Sequence, residues 1–169
     1  MLLRQGLLEG TVVLTVPATP LAAACDALGA EVVALEAPPL DEEATAAAVP
    51  ARADALVVDA AARGESLSHA LDAAWCAVRA AVTAAFIPAG RGKIVLVAPR
   101  PDAVEHAPAL RAGLENLART SSIEWARYAI TPTAILPGPR TSDDEVGELV
   151  AYLVSPAGDY FAGCSFDLQ

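Results

Sequence analysis

Short, apolar runs with strand composition alternate with helical segments along the chain, and this alternation constrains the fold more than any other feature. Each run is too short and too uniformly apolar for a strand with one solvated face, so burial on both faces is indicated. The pattern predicts a doubly wound α/β sheet of parallel strands in a single domain, residues 1–169. The predicted strands are residues 10–17, 31–37, 54–61, 92–99, 129–137 and 162–168.

The segments between these runs carry helix signals. A short helix is predicted at 20–30, a long one at 67–87 behind a Ser66 cap, and a second long one at 108–127. Ser142 followed by Glu145 three residues later predicts a capping box before the last helix. The Pro-rich and acidic connection 37–54 predicts one or two helical turns, and the sequence leaves open whether it also holds a strand.

The charge of the chain excludes several classes of partner. With 21 acidic and 11 basic residues, the net charge is −10, which argues against binding to nucleic acid or to anionic membranes. The mean hydropathy is +0.42, but the longest apolar stretch, 73–89, is interrupted by Arg79 and Pro88. Because the first ten residues lack the layout of a secretory signal, we expect a cytoplasmic protein.

Cysteine and histidine usage gives no metal or disulfide signal. The three cysteines, Cys25, Cys76 and Cys164, are odd in number and far apart, which predicts small buried hydrophobic side chains. His69 and Asp72 share a helix face, but no second histidine lies near them in sequence. No metal site is therefore predicted.

Three segments carry a more specific signal: GKIVLVAP at 92–99, RAGLENLARTSSIEWARYAI followed by AILPG at 111–138, and DDEVGELVAYLVSPAGDYFAGCSFDL at 143–168. They resemble a strand, the central helix with its following strand, and the C-terminal end of the short-chain dehydrogenase/reductase superfamily, especially its ketoreductase-like members. The resemblance runs from about residue 10 to residue 168. It implies a Rossmann-like sheet and a relationship to NAD(P)-dependent oxidoreductases, in a chain shorter than is usual for the family.

The resemblance also shows what is missing for cofactor binding. Where the family has T-G-x-x-x-G-I-G, this chain has TVPATPLAAAC at 15–25, with Pro17 and Pro20 in the turn and no glycine. Those glycines let backbone N–H groups approach a pyrophosphate, and proline has no N–H. Glu36 stands at the position of the ribose-binding acid, but the family's N-N-A-G is VDAA at 58–61. We expect no dinucleotide to bind this chain.

The catalytic residues of the family are replaced as well. The resemblance puts Ala107 at the tyrosine position and Arg111 at the lysine position, with Pro99 at the serine position, or Ala98 if the register shifts by one. Trp75 stands at the asparagine position. No phenol remains to protonate a carbonyl, arginine does not replace the lysine, and the substrate lid is reduced to PRTSDD at 139–144. The family's reaction is therefore not expected.

The parts that keep the resemblance are those through which family members associate, namely the two long helices and the C-terminal end. We therefore interpret the chain as a non-catalytic subunit that assembles with an intact NAD(P)-binding relative, one acting on ketoacyl or hydroxyacyl thioesters or similar ketones and alcohols. In that assembly NAD or NADP is bound by the partner only. The interface candidates are Trp75, Arg79, Val82, Phe86, Leu110, Leu114, Leu117, Trp125, Tyr160, Phe161 and Phe166.

Two other hypotheses remain at this point. The chain would be a stand-alone homodimeric binding or regulatory protein if the vacated cofactor pocket holds a different ligand. It would be an enzyme with relocated chemistry if His106, next to the empty tyrosine position, pairs with a carboxylate among its neighbours, where Arg100, Asp102 and Glu105 lie close in sequence.

Overall fold

Six parallel strands form one sheet in the computed structural model of the chain, which describes residues 3–36, 40–63 and 66–169. The strands are β1 Val12–Val16, β2 Glu31–Ala34, β3 Ala55–Asp59, β4 Gly92–Val97, β5 Ile130–Leu136 and β6 Cys164–Asp167. The order across the sheet is β2-β1-β3-β4-β5-β6, and every neighbouring pair is parallel. The predicted doubly wound parallel sheet is confirmed.

Alternating strand residues divide the core into two layers. In β1, Leu14 packs into the layer under the two long helices, whereas its neighbour Val13 packs into the layer on the opposite face. Successive side chains of a strand point to opposite faces, so a strand covered on both sides is apolar throughout. All five residues of β1 and of β3 are buried accordingly.

The helices cover both faces of this sheet. The first long helix consists of α3, Leu67–Ala81, a π-helical turn, Val82–Phe86, and α4, Ile87–Ala89. Ser66 caps it as predicted, since its hydroxyl accepts a hydrogen bond from the His69 N–H. Within the described part of the 37–54 connection, residues 40–54 contain one helix, α2 at Glu42–Ala48, and no strand. The helices are α1 Ala23–Ala27, α2 Glu42–Ala48, α3 Leu67–Ala81, α4 Ile87–Ala89, α5 Ala107–Glu124 and α6 Asp143–Val154.

The long helices are core elements, which corrects part of the interface prediction. α3 packs against α2, α5 and β3, so most of its circumference is covered by the chain itself. The same burial explains why the run Leu67–Ala89, although long and apolar enough to cross a membrane by composition, is a helix of the protein core. The prediction of interface contacts is wrong for five residues that are buried within the chain, namely Val82, Phe86, Leu110, Leu114 and Trp125.

The cysteine prediction is confirmed for two of the three residues. Cys25 and Cys76 are buried, and burial raises the pKa of the Cys25 thiol to about 12, because the thiolate would lose its hydration. Cys164 is only half-buried. Among the described residues, no group of three histidine, cysteine, aspartate or glutamate side chains is placed to hold a metal ion.

The predicted capping box at α6 is confirmed and gives a pH-dependent contribution to stability. The Ser142 hydroxyl accepts from the Glu145 N–H, and a Glu145 carboxylate oxygen accepts from the Ser142 N–H at 2.8 Å. These hydrogen bonds to Ser142 lower the pKa of Glu145. Its contribution is therefore fully present above the ordinary pKa of a glutamate and is lost as pH falls through the lowered value.

We expect Ser142→Ala to lower the free energy of unfolding by about 1 kcal/mol, the usual cost of losing an N-cap side chain. Urea unfolding at neutral pH measures this loss. Ser122→Ala is the control, because Ser122 lies inside α5 and its hydroxyl donates only to a backbone carbonyl of the preceding turn. An equal effect of the two substitutions would contradict the capping role.

Candidate functional site

The topological switch point of the sheet lies between two strands whose following connections run in opposite directions across the sheet. β1 connects to β2 on one side and β3 connects to β4 on the other, so the switch lies between β1 and β3. Parallel α/β sheets bind ligands in the crevice outside this point. A pocket of about 290 Å³ lies there, lined in part by Leu21, Asp59, Ala61, Arg100 and Asp143.

The turn after β1 uses its own polar groups internally. The Thr19 hydroxyl accepts from the Leu21 N–H at 3.3 Å and donates to Asp59 Oδ2 at 2.8 Å. The other carboxylate oxygen of Asp59 accepts from the Ala61 N–H at 3.1 Å. Pro20, at the first helical position, has no N–H. A buried carboxylate, 8% exposed, therefore stands beside the turn.

Arg111 occupies the centre of the carboxyl end. Its guanidinium donates to the carbonyl of Pro99 at 2.9 Å and to that of Pro137 at 2.7 Å, and it approaches the Asp167 carboxylate at 3.4 Å. The Pro99 carbonyl follows β4, the Pro137 carbonyl follows β5, and Asp167 is the last residue of β6. With its side chain only 15% exposed, Arg111 ties three strands together from the first turns of α5.

The other residues at the catalytic positions fall into two places. Ala98, Pro99 and Ala107 are buried beside the same strand ends and carry no reactive group. Trp75 instead stacks on Trp125, with ring centroids 6.1 Å apart and planes 8° from parallel. Trp125 follows the last residue of α5, about 27 Å along the helix from its start. The structure thus brings the serine, tyrosine and lysine positions together and places the ring of Trp75 elsewhere.

Arg100 binds the shortened connection that follows β5 through hydrogen bonds and an ion pair. Its guanidinium donates twice to the Thr141 carbonyl, at 3.0 and 2.7 Å, and pairs with Asp143 at 2.6 Å. The Thr141 hydroxyl accepts from the Gly138 N–H. Sequence reasoning placed Arg100 near His106 and missed this role, since the partners lie 41 and 43 residues away.

The structure gives no acid/base pair at His106. Its Nε2 is buried without a hydrogen-bond partner in the described structure. Asp102 and Glu105 are exposed, and Arg100 pairs with Asp143. No carboxylate among the described residues forms an ion pair with this imidazole, so the geometry does not favour relocated chemistry there.

A second, larger pocket of about 560 Å³ lies at the amino end of the sheet. Its charged groups are already paired with one another. Arg91 binds Asp54 at 2.9 Å, and the Lys93 ammonium binds Asp159 and carbonyls at the end of α6. These pairs join the amino ends of the strands to neighbouring elements and account for the charges without a ligand.

Solved structures similar to this chain cover nearly all of it. The citronellol catabolism dehydrogenase of Pseudomonas aeruginosa superimposes with a TM-score of 0.79 at 18% identity, over 99% of this chain and 96% of that one. A double mutant of a Serratia marcescens short-chain dehydrogenase/reductase superimposes with a TM-score of 0.75 at 21% identity, over 96% of this chain and 97% of that one. A short-chain dehydrogenase from Mycobacterium smegmatis superimposes with a TM-score of 0.75 at 22% identity, over 98% of this chain and 94% of that one. The chain has the short-chain dehydrogenase/reductase fold. No family model and no curated protein matches the sequence.

Within this short-chain dehydrogenase/reductase fold, the turn after β1 does not suit a dinucleotide. A pyrophosphate needs unsatisfied N–H groups and a close approach to the backbone. Here the Leu21 N–H is bonded to Thr19, Pro20 has none, and the Asp59 carboxylate faces the same pocket and would repel a phosphate. The likeness extends over almost the whole length of both chains, so this difference lies inside a conserved architecture.

Proposed function

We propose that the chain is a non-catalytic subunit with the short-chain dehydrogenase/reductase fold, which binds no dinucleotide and assembles with an intact NAD(P)-dependent relative to form an oxidoreductase. The observation that carries the proposal is the bonding of Arg111. Its guanidinium is held by two backbone carbonyls at the place where the fold would present a catalytic lysine. A group so engaged stabilises the scaffold, because both hydrogens of its Nη1 are committed to backbone carbonyls.

The C-terminal end of the chain supports assembly. β6 is an edge strand of the sheet and lacks a strand partner on its outer side within the described residues. Phe161, which precedes β6, and Phe166, which is part of it, are half-buried and pack edge to face with ring centroids 5.3 Å apart, and Tyr160 is 89% exposed. Exposed aromatic side chains next to an unpaired strand edge are typical of contact surfaces. Trp75 and Arg79, which remain exposed on α3, are a second candidate contact.

The test is a pull-down of the tagged full-length chain from its source organism, followed by native mass spectrometry. We expect a complex that contains a homologous chain with an intact glycine-rich turn and catalytic tyrosine. Tyr160→Asp should remove that chain from the complex, because a charge replaces an exposed aromatic anchor. Leu40→Asp is the matched control, since Leu40 is also an exposed large hydrophobic residue but lies between β2 and α2. It should leave the complex intact.

Two results would overturn the proposal. One is recovery of the chain only as a homodimer or monomer, which would instead favour a stand-alone binding protein. The other is saturable micromolar binding of NADH or NADPH to the purified chain in calorimetry, with an intact dehydrogenase measured alongside. The first result would contradict assembly with a relative, and the second would contradict the absence of dinucleotide binding. The two halves of the proposal are therefore tested separately.

A further inference from the structure

Asp59 is a buried carboxylate without a cationic partner among the described side chains, which do not include those of residues 62–65. It accepts two hydrogen bonds from neutral donors, the Thr19 hydroxyl and the Ala61 N–H. An ionised carboxylate has about four acceptor positions, so two are unused. The residue lines the 290 Å³ pocket at the switch point. A charged group in this situation is stabilised by any cation that reaches it.

The remaining charges of the pocket do not neutralise Asp59. Arg100 lines the same pocket, but its guanidinium is directed to the Thr141 carbonyl and to Asp143. That pair is neutral overall, so the pocket retains the one negative charge of Asp59. Its other walls are largely apolar, with Leu21, Val97 and Val146 among them. A charge at one point and apolar surface around it define a ligand with a cationic head and a hydrophobic body.

We propose that the vacated cofactor pocket binds a small organic cation, whose ammonium or guanidinium group pairs with Asp59 while its apolar part packs against Leu21, Val97 and Val146. A charged donor to a carboxylate forms a stronger hydrogen bond than a neutral one. A volume of 290 Å³ lies at the lower end of the range for small-molecule sites. This inference does not depend on assembly with a partner, since all its residues belong to this chain.

Three probes with the same aromatic body separate charge from hydrophobicity: benzylamine, benzyl alcohol and benzoate. Titration of the ¹⁵N-labelled full-length chain, followed by amide NMR shifts, measures both affinity and location. We expect saturable binding of benzylamine with shifts at Leu21 and Ala61. Benzyl alcohol should bind at least about tenfold more weakly, as expected for loss of a charge-assisted hydrogen bond, and benzoate should not bind.

Asp59→Asn should reduce benzylamine affinity at least about tenfold, while Asp72→Asn, an exposed acid on α3, should leave it unchanged. Ala61→Phe fills the pocket with Asp59 in place and should abolish binding even if Asp59→Asn fails to fold. The proposal is overturned if benzylamine and benzyl alcohol bind equally, if Asp59→Asn binds benzylamine like the wild type, or if benzylamine shifts no amide around the pocket. None of these outcomes bears on the pull-down, so the two proposals fail separately.

Discussion

Phe86→Ala is expected to lower the free energy of unfolding by about 3–5 kcal/mol, the usual cost of removing a buried phenylalanine ring. Phe86 is 0% exposed and is among the largest fully buried side chains. Its ring packs so closely against Gly92 that a Cβ at that glycine would overlap it. β4 is paired with β3 on one side and β5 on the other, so we do not expect it to shift and fill the cavity. Urea unfolding of the purified chain measures the loss.

The matched control is Tyr160→Ala, because Tyr160 and Phe86 are both interface candidates from the sequence. Tyr160 is almost fully exposed, so its truncation should change the stability of the isolated chain by no more than about 0.5 kcal/mol. If Phe86→Ala instead leaves stability unchanged and dissociates an assembly, the ring belongs to an interface and the burial described above is not that of the working protein.

The order of elements could be predicted from the sequence because the four inner strands, β1, β3, β4 and β5, are buried on both faces. The run 54–61, for example, contains the uninterrupted apolar segment 55–58, which a parallel sheet accepts on both sides. The limits of elements were less accurate. The strand predicted at 162–168 occupies only Cys164–Asp167, because Gly163 adopts a left-handed backbone (φ 69°) just before it.

The environment of the helices was the part that sequence could not supply. Apolar residues on several faces of 67–87 suggested an unpartnered surface, but α2 and α5 flank α3 on either side. Alanine makes this ambiguous, since residues such as Ala73 and Ala80 contribute little to periodicity yet are fully buried. Which neighbour covers a helix depends on how the 37–54 connection folds, and that segment has too little pattern to show it.

The site was predictable as a set of losses but not as a set of replacements. The missing glycines and the missing tyrosine are visible in the sequence. The contacts that took their place join residues 40 and 26 positions apart, Thr19 with Asp59 and Arg111 with Pro137. No local signal marks such pairs. In the sequence, an acidic residue at the end of a strand looks the same whether its side chain is solvated or stabilises the fold. The same holds for an arginine within a helix.

Arg111→Met is expected to lower the free energy of unfolding by about 2–4 kcal/mol, because hydrogen bonds from a charged donor contribute about 1.5–3 kcal/mol each and two carbonyls lose theirs. Methionine keeps the alkyl stem, so the loss reports the guanidinium alone. Arg119→Met on the same helix is the control. Its side chain is 63% exposed and forms only an i,i+4 pair with Glu115, which predicts a change below about 0.5 kcal/mol. Urea midpoints measure both.

Arg111→Lys separates a structural arginine from a displaced catalytic one. Both carbonyls accept from Nη1 of Arg111, and Nη2 approaches Asp167. A lysine ammonium can replace only one of these two nitrogens, so we expect an intermediate loss of stability. No ketone reduction should appear, since Ala107 supplies no phenol and Pro20 has no N–H to offer a cofactor. A gain of NAD(P)H-dependent turnover in this variant would contradict the structural role. Unchanged stability in both the lysine and the methionine variants would show that the carbonyls do not need the guanidinium.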